Sequence, residues 1–73
     1  MIKVYLRKKI APRIANGHPW IYGNEVDRIA GNPEPGEIVE VRFADGKLAG
    51  VGYYNPLSQI VVRLLSRKVE EIN

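Results

Sequence analysis

The stretch Ile38–Leu65, with the sequence IVEVRFADGKLAGVGYYNPLSQIVVRLL, decides the fold. Its first residues alternate in polarity, so that Val39 and Val41 fall on one face of a strand while Glu40 and Arg42 fall on the other. This alternation is typical of a strand with one face in the core and the other in solvent. The stretch therefore predicts a β-rich domain whose strand here runs over residues 38–43.

The rest of the stretch predicts two further strands joined by turns. Asp45-Gly46 is the signal of a tight two-residue hairpin, which requires a positive φ at Gly46. The next strand, residues 48–54, contains Gly50 and Gly52, and glycines inside a strand mark a bulge, a bend or a close approach of another backbone. After a turn over residues 55–58, residues 59–65 form the most apolar strand, which we expect to be covered on both faces.

The N-terminal half adds short strands and one short helix. Residues 2–7 predict a strand, and residues 20–22 predict another, which residues 25–29 could extend. Between them, apolar and basic side chains spaced by four residues predict a helix of one or two turns from near Lys9 to Asn16, ending at Gly17. About five short strands and one short helix predict a mainly β domain that closes into a small, mixed or antiparallel barrel.

Composition excludes several classes of function. A chain of 73 residues forms one small domain, and its lack of cysteine removes disulfides, thiolate zinc sites and thiol nucleophiles. The single histidine argues against a metal site, and there is no glycine-rich loop followed by a helix to hold a nucleotide. We therefore expect this chain to contain no catalytic residue, no metal and no cofactor. The lack of disulfides and of a long apolar segment predicts a cytoplasmic protein without a membrane span.

The positive charge is concentrated in the first third of the chain. The formal net charge is +3. Five basic residues precede the first acidic residue, Glu25: Lys3, Arg7, Lys8, Lys9 and Arg13. Lys8, Lys9 and Arg13 lie on or beside the predicted helix, where clustered cations are suited to phosphate contacts with a nucleic acid. The alternative is that these side chains simply keep one end of the domain in solvent.

Aromatic residues and His18 are further candidates for RNA contacts. Tyr53 and Tyr54 are adjacent in a strand, so one can be in the core while the other is exposed. An exposed tyrosine beside a basic helix can stack on an unpaired base, and we take His18, Tyr22 and Tyr54 as candidate RNA-binding residues. His18 equally suits a turn residue that hydrogen-bonds locally. Trp20 is expected in the core, because it is the largest source of apolar area.

Arg63 interrupts an apolar strand. We interpret it as a structural residue whose guanidinium bonds loop carbonyls or pairs with an acid such as Glu40. A phosphate contact is the alternative.

Two segments carry a resemblance to a known family: NGHPWIYGNEV (Asn16–Val26) and GEIVEVRFADGKLAGVGYYNPLSQIVVRLLS (Gly36–Ser66). They resemble the N-terminal PUA domain of class I S-adenosylmethionine-dependent rRNA methyltransferases, the family of the large-subunit rRNA cytosine-C5 methyltransferases. The most specific segment is Tyr54–Gln59. The resemblance implies a PUA pseudo-barrel that binds structured RNA, most suitably rRNA. It also implies a middle domain and a methyltransferase domain, both absent here, and the latter would hold S-adenosylmethionine and the attacking cysteine.

Two hypotheses follow for the chain. In the first, residues 1–68 are a PUA-like RNA-binding domain, and residues 69–73 begin a linker to the absent middle and methyltransferase domains. The chain then lacks enzymatic activity, although its full-length parent is an enzyme and forms a homodimer. In the alternative, the domain is a non-catalytic scaffold that packs against its own enzyme or a second copy. Exposed Ile or Leu side chains would favour the scaffold, and salt-dependent RNA binding would favour the first hypothesis.

Overall fold

The computed structural model describes residues 1–10, 14 and 16–67 of the chain. The predicted linker at residues 69–73 and most of the helix predicted between Lys9 and Asn16 lie outside these residues. Six strands are assigned in chain order: β1 (Lys3–Leu6), β2 (Trp20–Tyr22), β3 (Val26–Ala30), β4 (Ile38–Arg42), β5 (Leu48–Tyr54) and β6 (Ile60–Ser66). Lys8–Ile10 and Gly23–Glu25 form 3-10 helices, and Ile14, inside the predicted helix, has helical backbone. The mainly β class is confirmed, but the described residues form six strands rather than the five predicted.

All six strands join one mixed sheet in the order β2-β6-β5-β4-β1-β3. β1 pairs in parallel with β4, and every other neighbouring pair is antiparallel. Residues 25–29 do not extend β2 as predicted. The chain turns through Gly23–Glu25 and continues as β3, which lies on the opposite edge of the sheet beside β1. This turn is what separates one expected strand into two.

The sheet is curled into a half-barrel because its two edges are joined by a very short connection. Five strand spacings of about 4.8 Å would place β2 and β3 about 24 Å apart in a flat sheet. The chain from Tyr22 to Val26 can span at most about 14 Å when it is fully extended. Buried Glu25 fixes this corner, since its carboxylate accepts a hydrogen bond from the Tyr22 backbone N–H at 2.8 Å. Its carbonyl accepts another from the Arg7 N–H at 2.9 Å.

The core lies on the concave face of the curled sheet. Val39 and Val41 are fully buried there, as the alternation in β4 predicted. The other buried apolar residues of this cluster come from five further parts of the chain: Val4, Leu6, Ile14, Ile21, Ala49, Val62 and Leu64. The opposite, convex face carries the side chains between these positions in each strand, and it is the face available to a partner.

The hairpin between β4 and β5 differs in one respect from the prediction. Gly46 has a φ of +91°, as expected, but no other residue in the described part of the hairpin has a positive φ, which excludes a type I′ turn. The Phe43 carbonyl accepts a bond from the Gly46 N–H, and the Lys47 carbonyl accepts one from the Phe43 N–H, both at 2.9 Å. The loop therefore has three residues, with the glycine in the left-handed position, rather than two.

The glycines in β5 are sites of close backbone approach, as the sequence predicted. The register of β5 on β6 shifts between Val51 and Gly52. A Cβ atom at Gly52 would overlap the backbone carbonyl of Arg63, and one at Gly50 would lie 2.6 Å from the Ser66 carbonyl oxygen. These two positions therefore admit β6 only because they lack side chains.

Two expectations about burial are wrong. β6 is not covered on both faces: Val62 and Leu64 are buried, whereas Arg63 and Leu65 point outward and are exposed. Trp20 is not a core residue but retains 39% of its surface accessible. Both errors have one cause, since the convex face of β2 and β6 has no second layer over it within the described residues.

Candidate nucleic-acid interface

Cations gather at the β3 end of the sheet, where β1 leads into the first 3-10 helix. Arg7, Lys8 and Arg28 line a cleft of about 600 Å³, and Lys9 follows in the same 3-10 helix. We call Arg7, Lys8, Lys9 and Arg28 the basic edge. All four side chains belong to exposed residues, so their charges are available to a solvent-borne partner.

Two of these cations are held in place and two are not. The Arg7 Nε donates a 2.9 Å hydrogen bond to the Asn24 carbonyl, which fixes the guanidinium at the corner of the sheet. The Arg28 guanidinium lies 3.9 Å from the centre of the Tyr5 ring in a cation–π contact. Within the described residues, neither Lys8 nor Lys9 has an acidic partner. The lysine charges are therefore not neutralised inside this part of the protein.

Acidic side chains also contribute to the cleft. Asp27 and Asp45 line the same cleft as Arg7, Lys8 and Arg28. The Asp45 carboxylate already has a hydrogen bond within the hairpin, since its Oδ1 accepts a 2.9 Å bond from the Lys47 N–H. The basic edge still has four cations against these two carboxylates, so the balance favours an anion.

The structure separates the predicted RNA-binding residues into different places. Lys8 and Lys9 come together in one exposed turn, whereas Arg13 lies outside the described residues. His18 is a local hydrogen-bonding residue, since its Nδ1 accepts a bond from the Trp20 N–H at 3.3 Å. Its ring also meets the Trp20 ring edge to face, with centroids 5.9 Å apart. The proposed role of these residues toward RNA stays a prediction.

Tyr22 and Tyr54 lie near the corner between the two edges rather than at the basic edge. Tyr22 lines a cleft of about 760 Å³ with polar residues that include Asn24 and Gln59. Tyr54 is partly buried and packs against the core. The adjacent Tyr53 is the exposed member of the pair, with 51% of its surface accessible, so the sequence identified the alternation but not which tyrosine faces solvent.

A second group of candidate RNA-binding side chains lies on the convex face, and the sequence analysis did not predict it as a group. Arg63 is the direct cross-strand neighbour of Trp20 on β2 and of Tyr53 on β5. We call Trp20, Arg63 and Tyr53 the aromatic row. Signals in the sequence were the adjacent tyrosines and the arginine in an apolar strand, but the register that aligns the three residues is not visible there.

The expected structural role of Arg63 is not what the structure shows. Glu40 is paired with Arg42 instead: the Arg42 Nε donates a 2.7 Å hydrogen bond to the Glu40 Oε2. The Arg63 guanidinium forms no hydrogen bond or ion pair with any described residue. Arg63 is therefore an exposed cation between two aromatic residues rather than a cross-link inside the fold.

The described residues do not fit a cofactor or a metal ion. Gly50 and Gly52 lie within β5 against the backbone of β6, so they do not form a phosphate-binding loop before a helix, and S-adenosylmethionine has no matching cradle here. Residues 1–10, 14 and 16–67 contain no group of three or more metal-ligating side chains. Among the same residues, no helix has the length and apolar character to cross a membrane.

The chain belongs to the PUA-like domain family, whose model matches residues 4–67. The curled mixed sheet is consistent with this membership. The chain is 40% identical over 70 residues to a protein from Vibrio vulnificus (strain CMCP6) named ribosomal RNA large subunit methyltransferase I. Proteins of the same name from Vibrio campbellii and Tolumonas auensis are 39% and 37% identical, over 70 and 68 residues respectively.

These relatives are much longer than the chain. The match to the Vibrio vulnificus protein covers 96% of the chain but only 18% of that protein. The match to the Tolumonas auensis protein covers 93% of the chain and 17% of that protein. The similarity is therefore to one domain of each relative. Neither the family match nor the relatives support the homodimer expected from the sequence.

Proposed function

We propose that this chain is the RNA-binding domain of a larger S-adenosylmethionine-dependent rRNA methyltransferase, and that it positions structured rRNA for a catalytic domain elsewhere in the protein. From the resemblance of the sequence, we further propose that the larger enzyme methylates C5 of a cytosine and that the protein is cytoplasmic. Relatives named rRNA methyltransferases support the assignment, since they match nearly the whole chain. The cofactor and the chemistry belong to the catalytic domain.

One observation carries the RNA-binding part of the proposal: Lys8 and Lys9 are exposed, adjacent and without acidic partners among the described residues. Unpaired cations on a turn that is anchored to a sheet are suited to phosphate oxygens, which present negative charge at regular spacing. Arg7 and Arg28, held by the Asn24 carbonyl and the Tyr5 ring, extend the positive surface along the cleft. Contacts of this type position the RNA and do not read its sequence.

The experiment measures RNA affinity as a function of salt for the chain and for a Lys8→Ala/Lys9→Ala variant. The probe is a stem-loop RNA with a fully paired stem. The slope of log affinity against log salt should become shallower by up to about 1.8, from about 0.9 for each lost duplex phosphate contact. Adding Arg13→Ala should extend the decrease to about 2.7. The melting temperature should hardly change, because exposed charges contribute little to stability.

Asp27→Asn is the matched control, because it removes an acidic side chain from the wall of the same cleft. It should strengthen binding, which is the opposite sign to the lysine variant. An unchanged salt slope in the lysine variant would contradict the basic edge as the RNA site.

The scaffold alternative is favoured by a specific observation. Leu57 and Leu65 expose 91% and 47% of their surfaces, and large exposed apolar side chains mark protein interfaces. In this second candidate function, the convex face packs against another domain of the same protein. It predicts that the isolated chain binds the stem-loop RNA no more tightly than other polyanions, such as heparin, at the same salt concentration.

A further inference from the structure

We propose that the aromatic row binds two unpaired RNA bases and the phosphate between them, with one base on Trp20, one on Tyr53 and the phosphate on Arg63. This inference rests on the proposed RNA-binding function and deepens it, since it assigns single-stranded RNA to a surface separate from the basic edge.

Strand register places the three side chains in one line across the sheet. Arg63 is paired with Trp20 on one side and with Tyr53 on the other, so the three residues share one face. The next residues in register, Ile21, Val62 and Tyr54, face the core. Neighbouring strands lie about 4.8 Å apart, so the two aromatic residues are anchored about 10 Å from each other with the cation midway.

Both aromatic side chains of the row remain partly accessible to solvent, and the Trp20 ring also contacts the His18 ring edge to face. Trp20 and Tyr53 keep 39% and 51% of their surfaces accessible, although burying an aromatic side chain is among the largest sources of stability available to a small domain. Every RNA base can stack on the accessible face of an aromatic ring.

Charge on this half of the sheet favours an anion. The strands β2, β5 and β6 contain no acidic residue, and their cation is Arg63. Its guanidinium has no hydrogen-bond or ion-pair partner among the described residues, so it can meet a phosphate without giving up an internal contact. A guanidinium is suited to phosphate because its planar donors match two phosphate oxygens.

A small pocket beside the row adds hydrogen-bond donors. The pocket has a volume of about 280 Å³ and is lined by Tyr53, Asn55, Ser58, Ile60 and Arg63. The Asn55 Oδ1 accepts a bond from the Leu57 N–H at 3.1 Å, and the Ser58 Oγ accepts one from the Ile60 N–H at 3.1 Å. Since their oxygens are used as acceptors, the Asn55 amide N–H₂ and the Ser58 O–H can donate to acceptors on a base or ribose.

The test compares two RNA probes. The first is a single-stranded RNA in which one adenine is replaced by 2-aminopurine, whose fluorescence falls when the base stacks. The second is a blunt duplex of the same sequence, whose bases are already stacked and paired. Tyr53→Ala should weaken binding of the single strand about tenfold and reduce the fluorescence change, since stacking contributes about 1–3 kcal/mol for each base and the site on Trp20 remains. Binding of the duplex should stay within about twofold.

Three further variants control for fold and for chemistry. Tyr53→Phe should retain single-strand binding, because the ring is kept. Arg63→Gln should weaken it and make the salt slope shallower by about 0.7, the value for one phosphate contact on a single strand. Leu65→Ala removes an exposed apolar side chain from the same face of β6 and should change neither probe. Thermal melts establish that each variant is folded.

The outcomes separate this inference from the proposed function. If Tyr53→Ala leaves single-strand binding unchanged while Lys8→Ala/Lys9→Ala weakens both probes, the aromatic row is not a base site and the RNA-binding function stands. If the parent chain binds neither probe, both proposals fail. Equal losses from Leu65→Ala and Tyr53→Ala, or dimerisation of the parent chain that Tyr53→Ala abolishes in sedimentation, would overturn the inference in favour of a protein partner.

Discussion

The basic edge and the aromatic row lie at opposite ends of the strand order, and they are assembled in different ways. Three of the four residues of the basic edge are consecutive in the chain, Arg7, Lys8 and Lys9. The three residues of the aromatic row come from β2, β5 and β6, so they are brought together by strand pairing alone. A site of the first kind depends on composition, whereas a site of the second kind depends on register. Damage to the sheet should therefore affect the two sites unequally.

The largest expected effect comes from breaking the backbone beneath the aromatic row. Gly52→Ala places a Cβ against the Arg63 carbonyl, which belongs to the neighbouring strand and cannot move without displacing β6. We expect the free energy of unfolding to fall by about 3 kcal/mol, the upper part of the range for overpacked sites. Denaturant titration measures it.

Gly23→Ala is the control for that substitution, since its Cβ would lie 3.5 Å from a Val61 methyl group, an ordinary contact. Its effect should stay below about 1 kcal/mol. Equal denaturation midpoints for the two variants would contradict the close approach of β5 and β6.

A smaller loss of stability is expected from a substitution in the hairpin, which lines the same cleft as the basic edge. Gly46 has a φ of +91°, and a β-branched side chain is strained there even though the space around it is open. Gly46→Val should therefore lower the free energy of unfolding by slightly more than about 1 kcal/mol.

Thermal or denaturant unfolding checks the hairpin prediction, and Ala44→Val at a neighbouring exposed position serves as the control. If both valine variants unfold at the same midpoint, the left-handed glycine is not what holds this loop. At the level of binding, Gly46→Val should affect the stem-loop RNA more than the single-stranded probe.

The smallest expected effect is the coupling free energy for RNA binding between the basic edge and the aromatic row. When Tyr53→Ala is combined with Lys8→Ala/Lys9→Ala, the losses of affinity for single-stranded RNA should add to within about 0.5 kcal/mol, since the sites share no contacts. A double-mutant cycle at one salt concentration measures this. Coupling above about 1 kcal/mol would mean that the basic edge and the aromatic row act as one site.

Much of the local structure was predictable because it depends on neighbouring residues. The alternation of Val39 and Val41 with polar residues identified β4 and its buried face, and the positive φ of Gly46 followed from the Asp-Gly pair. The concentration of cations before Glu25 predicted the positive charge that Arg7, Lys8 and Lys9 give to the basic edge. Other expectations failed for lack of non-local information: residues 25–29 do not extend the strand over residues 20–22, and among the described residues Arg63 does not bond loop carbonyls or pair with an acid such as Glu40.

By itself, the sequence determined that the chain forms short strands, where most of them begin and end, and which end carries positive charge. These features depend on side-chain periodicity and on backbone preferences, which act over a few residues. Only the tertiary structure decided that β2 and β3 become opposite edges of one sheet, that Trp20 stays exposed, and that Arg63 lies between two aromatic residues. Those outcomes depend on which strands pair and in what register, and register is set by contacts between residues far apart in the chain.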